Sequence, residues 1–175
     1  MSLQTTFDQA KIGNTYFASN QAAVTLSGLS TTATGLILVN PAGSTVNIAV
    51  MTATWAFTTA PAGASIVGWA MSPAPAATAA LTTPITPNIQ QVRLFGTAGN
   101  SQARVCSAAT TVGTPVWARV MGGPVAAAQI NPPFLKDDID GAIILVPGTS
   151  IQLAFLTTAA VGMGSVTWVE YAPPN

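Results

Sequence analysis

From residue 12 to residue 92 the chain carries no charged side chain, a run of 81 residues bounded by Lys11 and Arg93. At 175 residues it is long enough for one domain with a sizeable core. Charge ordinarily solvates the outside of such a domain and keeps the edges of its sheets apart from other strands. Over this run the outward positions must instead be Thr, Ser, Asn, Gln and Ala. Such a surface hydrates modestly, resists salt and offers little repulsion between copies. It fits either a monomer with a Thr/Ser-rich coat or a chain that hides much of its exterior against other protein. Charge depletion at apolar surfaces is typical of obligate interfaces, so the second is the expectation.

The rest of the composition removes whole classes of function. Five basic and five acidic residues give no net charge, and scattered basic groups make no stripe able to neutralise a nucleic-acid backbone. There is no histidine and one cysteine, Cys106, so Ser-His-Asp and Cys-His catalysis, tetrahedral zinc and an intrachain disulfide are all excluded. A mean hydropathy of +0.49 raises the question of membranes. The apolar runs are short and cut by Gly, Pro, Ser, Thr or Asn, far below the length of a spanning helix. Residues 1–20 include Gln4, Asp8, Gln9, Lys11 and Asn14, with no apolar stretch of the secretory kind. The expectation is a chain made in the cytoplasm and not exported by a standard route.

Its texture is β. Val, Ile, Thr and aromatic residues recur in short runs bounded by Gly, Pro and Asn. Strands are expected near 23–26, 34–40, 45–58, 65–71, 90–95, 103–107, 115–121, 142–146, 150–157 and 164–171. Val46, Ile48 and Val50 alternate with polar or small residues, then Ala53, Trp55 and Phe57 take over on the other parity. A bulge near Met51, or a tight bend between two strands, would produce that switch. The last run is less regular: Val166 and Trp168 share a parity with Glu170, while Val169 and Tyr171 share the other. Four prolines in 72–88 point to a long ordered loop or a polyproline-like excursion, and 122–133 to a second. Residues 1–22 show no sustained alternation and are expected to be an arm, either partly disordered or lying across a neighbouring subunit.

Few residues invite chemistry. Asp137, Asp138 and Asp140 precede Gly141 and suggest a calcium loop. Aligning Gly141 with the loop's glycine puts Lys136 at the first ligand position and Pro147 where a bidentate Glu belongs, so the pattern fails at both ends. A looser calcium site using carbonyls, or a solvated loop cap pairing with an arginine, remain as readings. Paired carboxylates for glycoside hydrolysis would have to combine this cluster with Asp8 or Glu170, and nothing in the spacing brings them together. No enzyme is expected. Gly162-Met163-Gly164 and Gly96-Thr97-Ala98-Gly99 read as turns and not as phosphate cradles. Arg93, Arg104 and Arg119 lie in expected strands, where single arginines bridge subunits or pair with a carboxylate. Cys106 reads as a small buried apolar residue. Trp55, Trp69, Trp117 and Trp168 fall in four different strands, as core filling by default and as interface anchors or a sugar platform otherwise.

Thr34-Gly35-Leu36-Ile37-Leu38-Val39-Asn40-Pro41 near the start, with Val146-Pro147-Gly148-Thr149-Ser150-Ile151-Gln152-Leu153 and Val166-Thr167-Trp168-Val169-Glu170-Tyr171 at the end, resembles small structural proteins of tailed bacteriophages. The second pattern looks like the closing strands of jelly-roll, tumour-necrosis-factor-like trimers. The resemblance covers residues 23–171 in style. It implies an all-β, antiparallel jelly-roll-like sandwich of about 8–10 strands over 23–175, with 1–22 as the arm. It further implies a homotrimer in the virion that decorates or cements a capsid. The partners would be its own copies and the major capsid protein or another virion protein, with no nucleic acid and no membrane. A receptor- or carbohydrate-binding module on a tail or fibre is the alternative. The family relies on surface shape, so no catalytic, cofactor-binding or metal residue, and no cofactor, carries over.

Overall fold

Short apolar runs separated by turn residues become the strands of two antiparallel sheets. The computed structural model describes residues 3–26, 28–59, 63, 66–73, 89–92, 99–107, 110–122, 134–156 and 159–173. A helix, α1 (Leu3–Ile12), leads into β1 (Thr15–Ser19), β2 (Val24–Leu26), β3 (Thr32–Ala33) and β4 (Ile37–Asn40). Then come β5 (Asn47–Phe57), β6 (Val67–Pro73), β7 (Gln90–Gln91), β8 (Arg104–Cys106) and β9 (Thr110–Thr111). The chain closes with β10 (Val116–Gly122), β11 (Leu135–Leu145), β12 (Thr149–Phe155) and β13 (Ala160–Tyr171). Of these strands β3, β7 and β9 are two residues long.

One sheet runs β11-β5-β13-β1-β7, with β2 added to β13; the other runs β10-β6-β12-β4-β8. From β4 to β8, and again from β10 to β13, successive strands alternate between the two sheets. The layers therefore enclose a shared core, containing Leu38, Val50, Trp55, Trp69, Ile151, Leu153, Phe155, Val166 and Trp168. This is the all-β, jelly-roll-like sandwich expected from the sequence. The small β3-β9 ladder lies apart, and Ala33 and Val112 beside it pack with Ile37, Val39 and Cys106 as a second buried cluster. Cys106 is fully buried there, as its type suggested.

The parity switch in β5 is a bulge at Met51. Thr167 pairs with Thr52 and Trp168 with Val50, so Met51 is the extra residue between them. Before it Ile48 and Val50 face the core, and after it Ala53 and Trp55 do. Ala49 and Met51 turn outward and pack with Val169 and Tyr171. The irregular parity of the last strand has the same origin, because both of its faces are used.

Gly162 and Gly164, expected as a turn, lie inside β13. They leave room for the Trp55 indole: a Cβ on Gly162 would come 2.6 Å from that ring and collide with the Ala56 carbonyl. Trp55 then meets Phe57 edge-on at 6.3 Å, and Phe57 meets Phe155 at 5.8 Å. Gly162→Ala is expected to destabilise the protein by about 2–3 kcal/mol through overpacking against backbone and a fully buried ring. Urea denaturation followed by tryptophan fluorescence measures it.

The segment 1–22 does not form one unit set apart from the sandwich. Residues 15–19 are β1, which pairs with β13 along its whole length and with β7 on its other side. Tyr16 and Ala18 are buried, and the Tyr16 ring stacks on Trp168 at 6.0 Å. Five residues are too few for alternation to stand out among the amides around them. Of the two proline-rich stretches, Ser72 and Pro73 end β6 and Gly122 ends β10; residues 74–88 and 123–133 lie outside the described residues. The expected strand at 90–95 is represented by β7, with 93–95 also outside.

Candidate functional site: an open flank and a polar pocket

The charge-free run does expose the residue types expected of it. Gln21, Ala22, Ala23, Thr25, Thr31, Thr32, Ala42, Thr45, Ala56, Thr58 and Thr59 face solvent, with Leu29 and Ile12 among them. Of the four tryptophans, Trp55, Trp69 and Trp168 are buried core filling. Trp117 is half-buried. It pairs with Ala70, on the opposite face of the sheet from core-facing Trp69, and lies over Gly68, where an added Cβ would sit 3.1 Å from its ring.

The acidic residues are not a loop cap. They belong to β11, which reaches back to Leu135 because Leu135, Asp137, Ile139, Ile143 and Leu145 alternate with exposed neighbours. Asp137 is buried and points between the layers. Arg119 of β10 donates to it twice, from Nε at 3.0 Å and from Nη2 at 2.9 Å, and the Trp69 indole N–H donates at 3.2 Å. The expected pairing of the cluster with an arginine is thus present, at a buried position. Asp138 pairs with Lys136 at 2.9 Å on the exposed face. Asp140 sits at φ 50 and Gly141 at φ 79, at a bulge that sets 139–142 against Met51 alone. That left-handed backbone suits Asp and Gly, and it carries Asp140 into solvent. The three carboxylates therefore diverge, and among the described residues no three His, Cys, Asp or Glu side chains gather as a metal site.

Arg119 and Asp137 tie together β10 and β11, each the outer strand of its sheet. This flank is open. Val116, Val120 and Phe134 are each 62 % exposed, and Ile144 and Val146 are close to half exposed. Neither β10 nor the outward face of β11 carries a proline, and the only arginine of β10, partly exposed, is paired with Asp137. The β10 edge therefore has little charge to repel another strand, whereas the exposed face of β11 carries Lys136, Asp138 and Asp140.

The second feature lies at the other edge of the β10-containing sheet, beside β8. Pro41, Gly43, Ser44, Ser101, Gln102 and Arg104 line a cavity of about 340 Å³. Its walls are held from behind. The Gln102 carboxamide accepts from the Thr45 N–H at 2.8 Å and donates to the Thr45 hydroxyl at 2.9 Å. Glu170, at the end of β13, is buried and accepts from the Ser101 hydroxyl at 2.6 Å, the Gln102 N–H at 2.9 Å and the Trp168 indole at 3.0 Å. Burial first, and the Glu170 carboxylate second, push the nearby Tyr16 hydroxyl above its ordinary pKa, with a hydrogen bond involving Gln91 acting the other way. Sequence reading missed both the buried Glu170 and this pocket. The only signal was the even parity of Glu170 with Val166 and Trp168.

Arg93, the third arginine singled out, lies outside the described residues. Among the described residues no helix is long and apolar enough to cross a membrane. The fold class is thus a two-sheet β-sandwich with an open edge and a polar pocket. Comparison with known protein families, curated proteins and solved structures gives no match.

Proposed function

We propose that this chain is a virion structural protein, a capsid decoration or cement protein that binds and stabilises a coat lattice as a homotrimer. The observation that carries the proposal is the exterior: a long charge-free run exposing Thr and Ala, together with a flank of exposed apolar side chains on the outer strands of the two sheets. Buried against a neighbour, such a surface stabilises by roughly 25 cal/mol per Å² before association costs are subtracted. Repetition on a fixed lattice then adds avidity without any new contact. Sedimentation at micromolar concentration is expected to give three times the 17.7 kDa chain mass, and electron microscopy is expected to place the protein on the capsid shell. A stable monomer, or a location on tail or fibre alone, would overturn the reading.

One observation favours the alternative of a carbohydrate-binding module on a tail or fibre. Trp117 is the tryptophan with its ring partly open to solvent, on the outside of a sheet. A glycan array separates the two: decoration predicts no sugar binding, whereas the module predicts binding abolished by Trp117→Ala.

A further inference from the structure

Charged side chains among the described residues are matched inside the chain with two exceptions. Asp8 pairs with Lys11, Asp137 with Arg119 and Asp138 with Lys136, while Glu170 is satisfied by neutral donors. Arg104 has no acidic partner, and the contact its guanidinium makes is to the neighbouring Ala103 carbonyl at 3.1 Å. The Asp140 side chain has neither an ion pair nor a hydrogen bond among the described residues.

These two groups differ in shape as well as sign. Arg104 lines the concave pocket, beside the hydroxyls of Ser44 and Ser101. Asp140 stands at a bulge, projected by its left-handed backbone, on the exposed stripe of β11 that continues through Ala142, Ile144 and Val146. They also lie on opposite sides of the sandwich. β8 is the last strand of its sheet at one end, and β10, joined to β11 by the Arg119–Asp137 pair, is the last at the other.

We infer that the Arg104 pocket receives the Asp140 bulge of a second copy of this chain, with the apolar stripe around Asp140 closing over the pocket rim. This rests on the homotrimer reading and specifies its contact. Complementary patches on opposite flanks make a heterologous interface, which closes into a ring when the rotation between copies allows it. Three copies would then bury three equivalent Arg–Asp pairs. The apolar residues beside each pair exclude water and strengthen it.

Analytical ultracentrifugation of the full chain tests the contact, with circular dichroism confirming the fold of each variant. Asp140→Asn keeps a residue suited to the left-handed bulge and removes only the charge. Arg104→Gln does the same in the pocket. Each is expected to raise the trimer dissociation constant by about 30-fold or more, as for truncation of one partner of a buried charge pair. The exchanged variant Arg104→Glu/Asp140→Lys is expected to bind at least tenfold more tightly than Arg104→Glu alone. If the wild type is a trimer and both neutral variants associate unchanged, the contact is wrong and the assembly reading survives. A monomeric wild type at tens of micromolar overturns both.

Discussion

Glu170→Ala is expected to cost about 4 kcal/mol of folding stability, a large effect for a polar side chain. Glu170 is 5 % exposed, and its carboxylate accepts from the Ser101 hydroxyl, the Gln102 N–H and the Trp168 indole, with the Ala103 N–H more distant at 3.4 Å. Truncation strands these donors at the end of the core, and each buried donor left without an acceptor costs about 1–3 kcal/mol. It also frees the 101–103 segment that forms one wall of the Arg104 pocket. Glu170→Gln keeps a carbonyl acceptor and is expected to lose about half as much. Urea denaturation at neutral pH measures both. A loss below about 1 kcal/mol for the alanine variant would show that the segment is held by other contacts.

The second large effect belongs to the pair that joins the two outer strands. Arg119→Ala is expected to destabilise by about 3 kcal/mol, because it leaves the buried Asp137 carboxylate with the Trp69 indole as its remaining donor. The double variant Arg119→Met/Asp137→Leu is expected to recover most of that loss, since removing both charges also removes their desolvation cost. Arg119 is partly exposed, which keeps the effect below that of a fully enclosed pair. A double variant no more stable than Arg119→Ala would mean that the cost comes from lost packing of the arginine stem over the flank.

These two carboxylates show where sequence reading stops. Alternation of Ile48 and Val50, then of Ala53 and Trp55, located the β5 residues and the parity switch near Met51, because a period of two reports directly which side faces the core; that the switch is a bulge and not a bend between two strands came from the pairing with β13. The same rule applied to 135–141 met Lys, Asp, Asp and Asp and read a loop. The strand continues through them because Asp138 and Asp140 point to solvent and Asp137 finds its donors on β10 and β6. Those donors are 18 and 68 residues away in sequence, so no local pattern announces them. Gly162 and Gly164 misled in the same way: the reason for a small residue there is the ring of Trp55, on a neighbouring strand.

Short-range composition and periodicity were sufficient for the β class, for most strands, for the buried character of Cys106 and for the scarcity of charge on the surface. Each of those follows from whether a side chain prefers water, a property it carries without its neighbours. Pairing partners, the open edge at β10 and β11, and the buried roles of Asp137 and Glu170 arose only when strands distant in the chain were laid side by side. A charged group can be buried only where donors converge from several strands, and that convergence is a property of the three-dimensional arrangement.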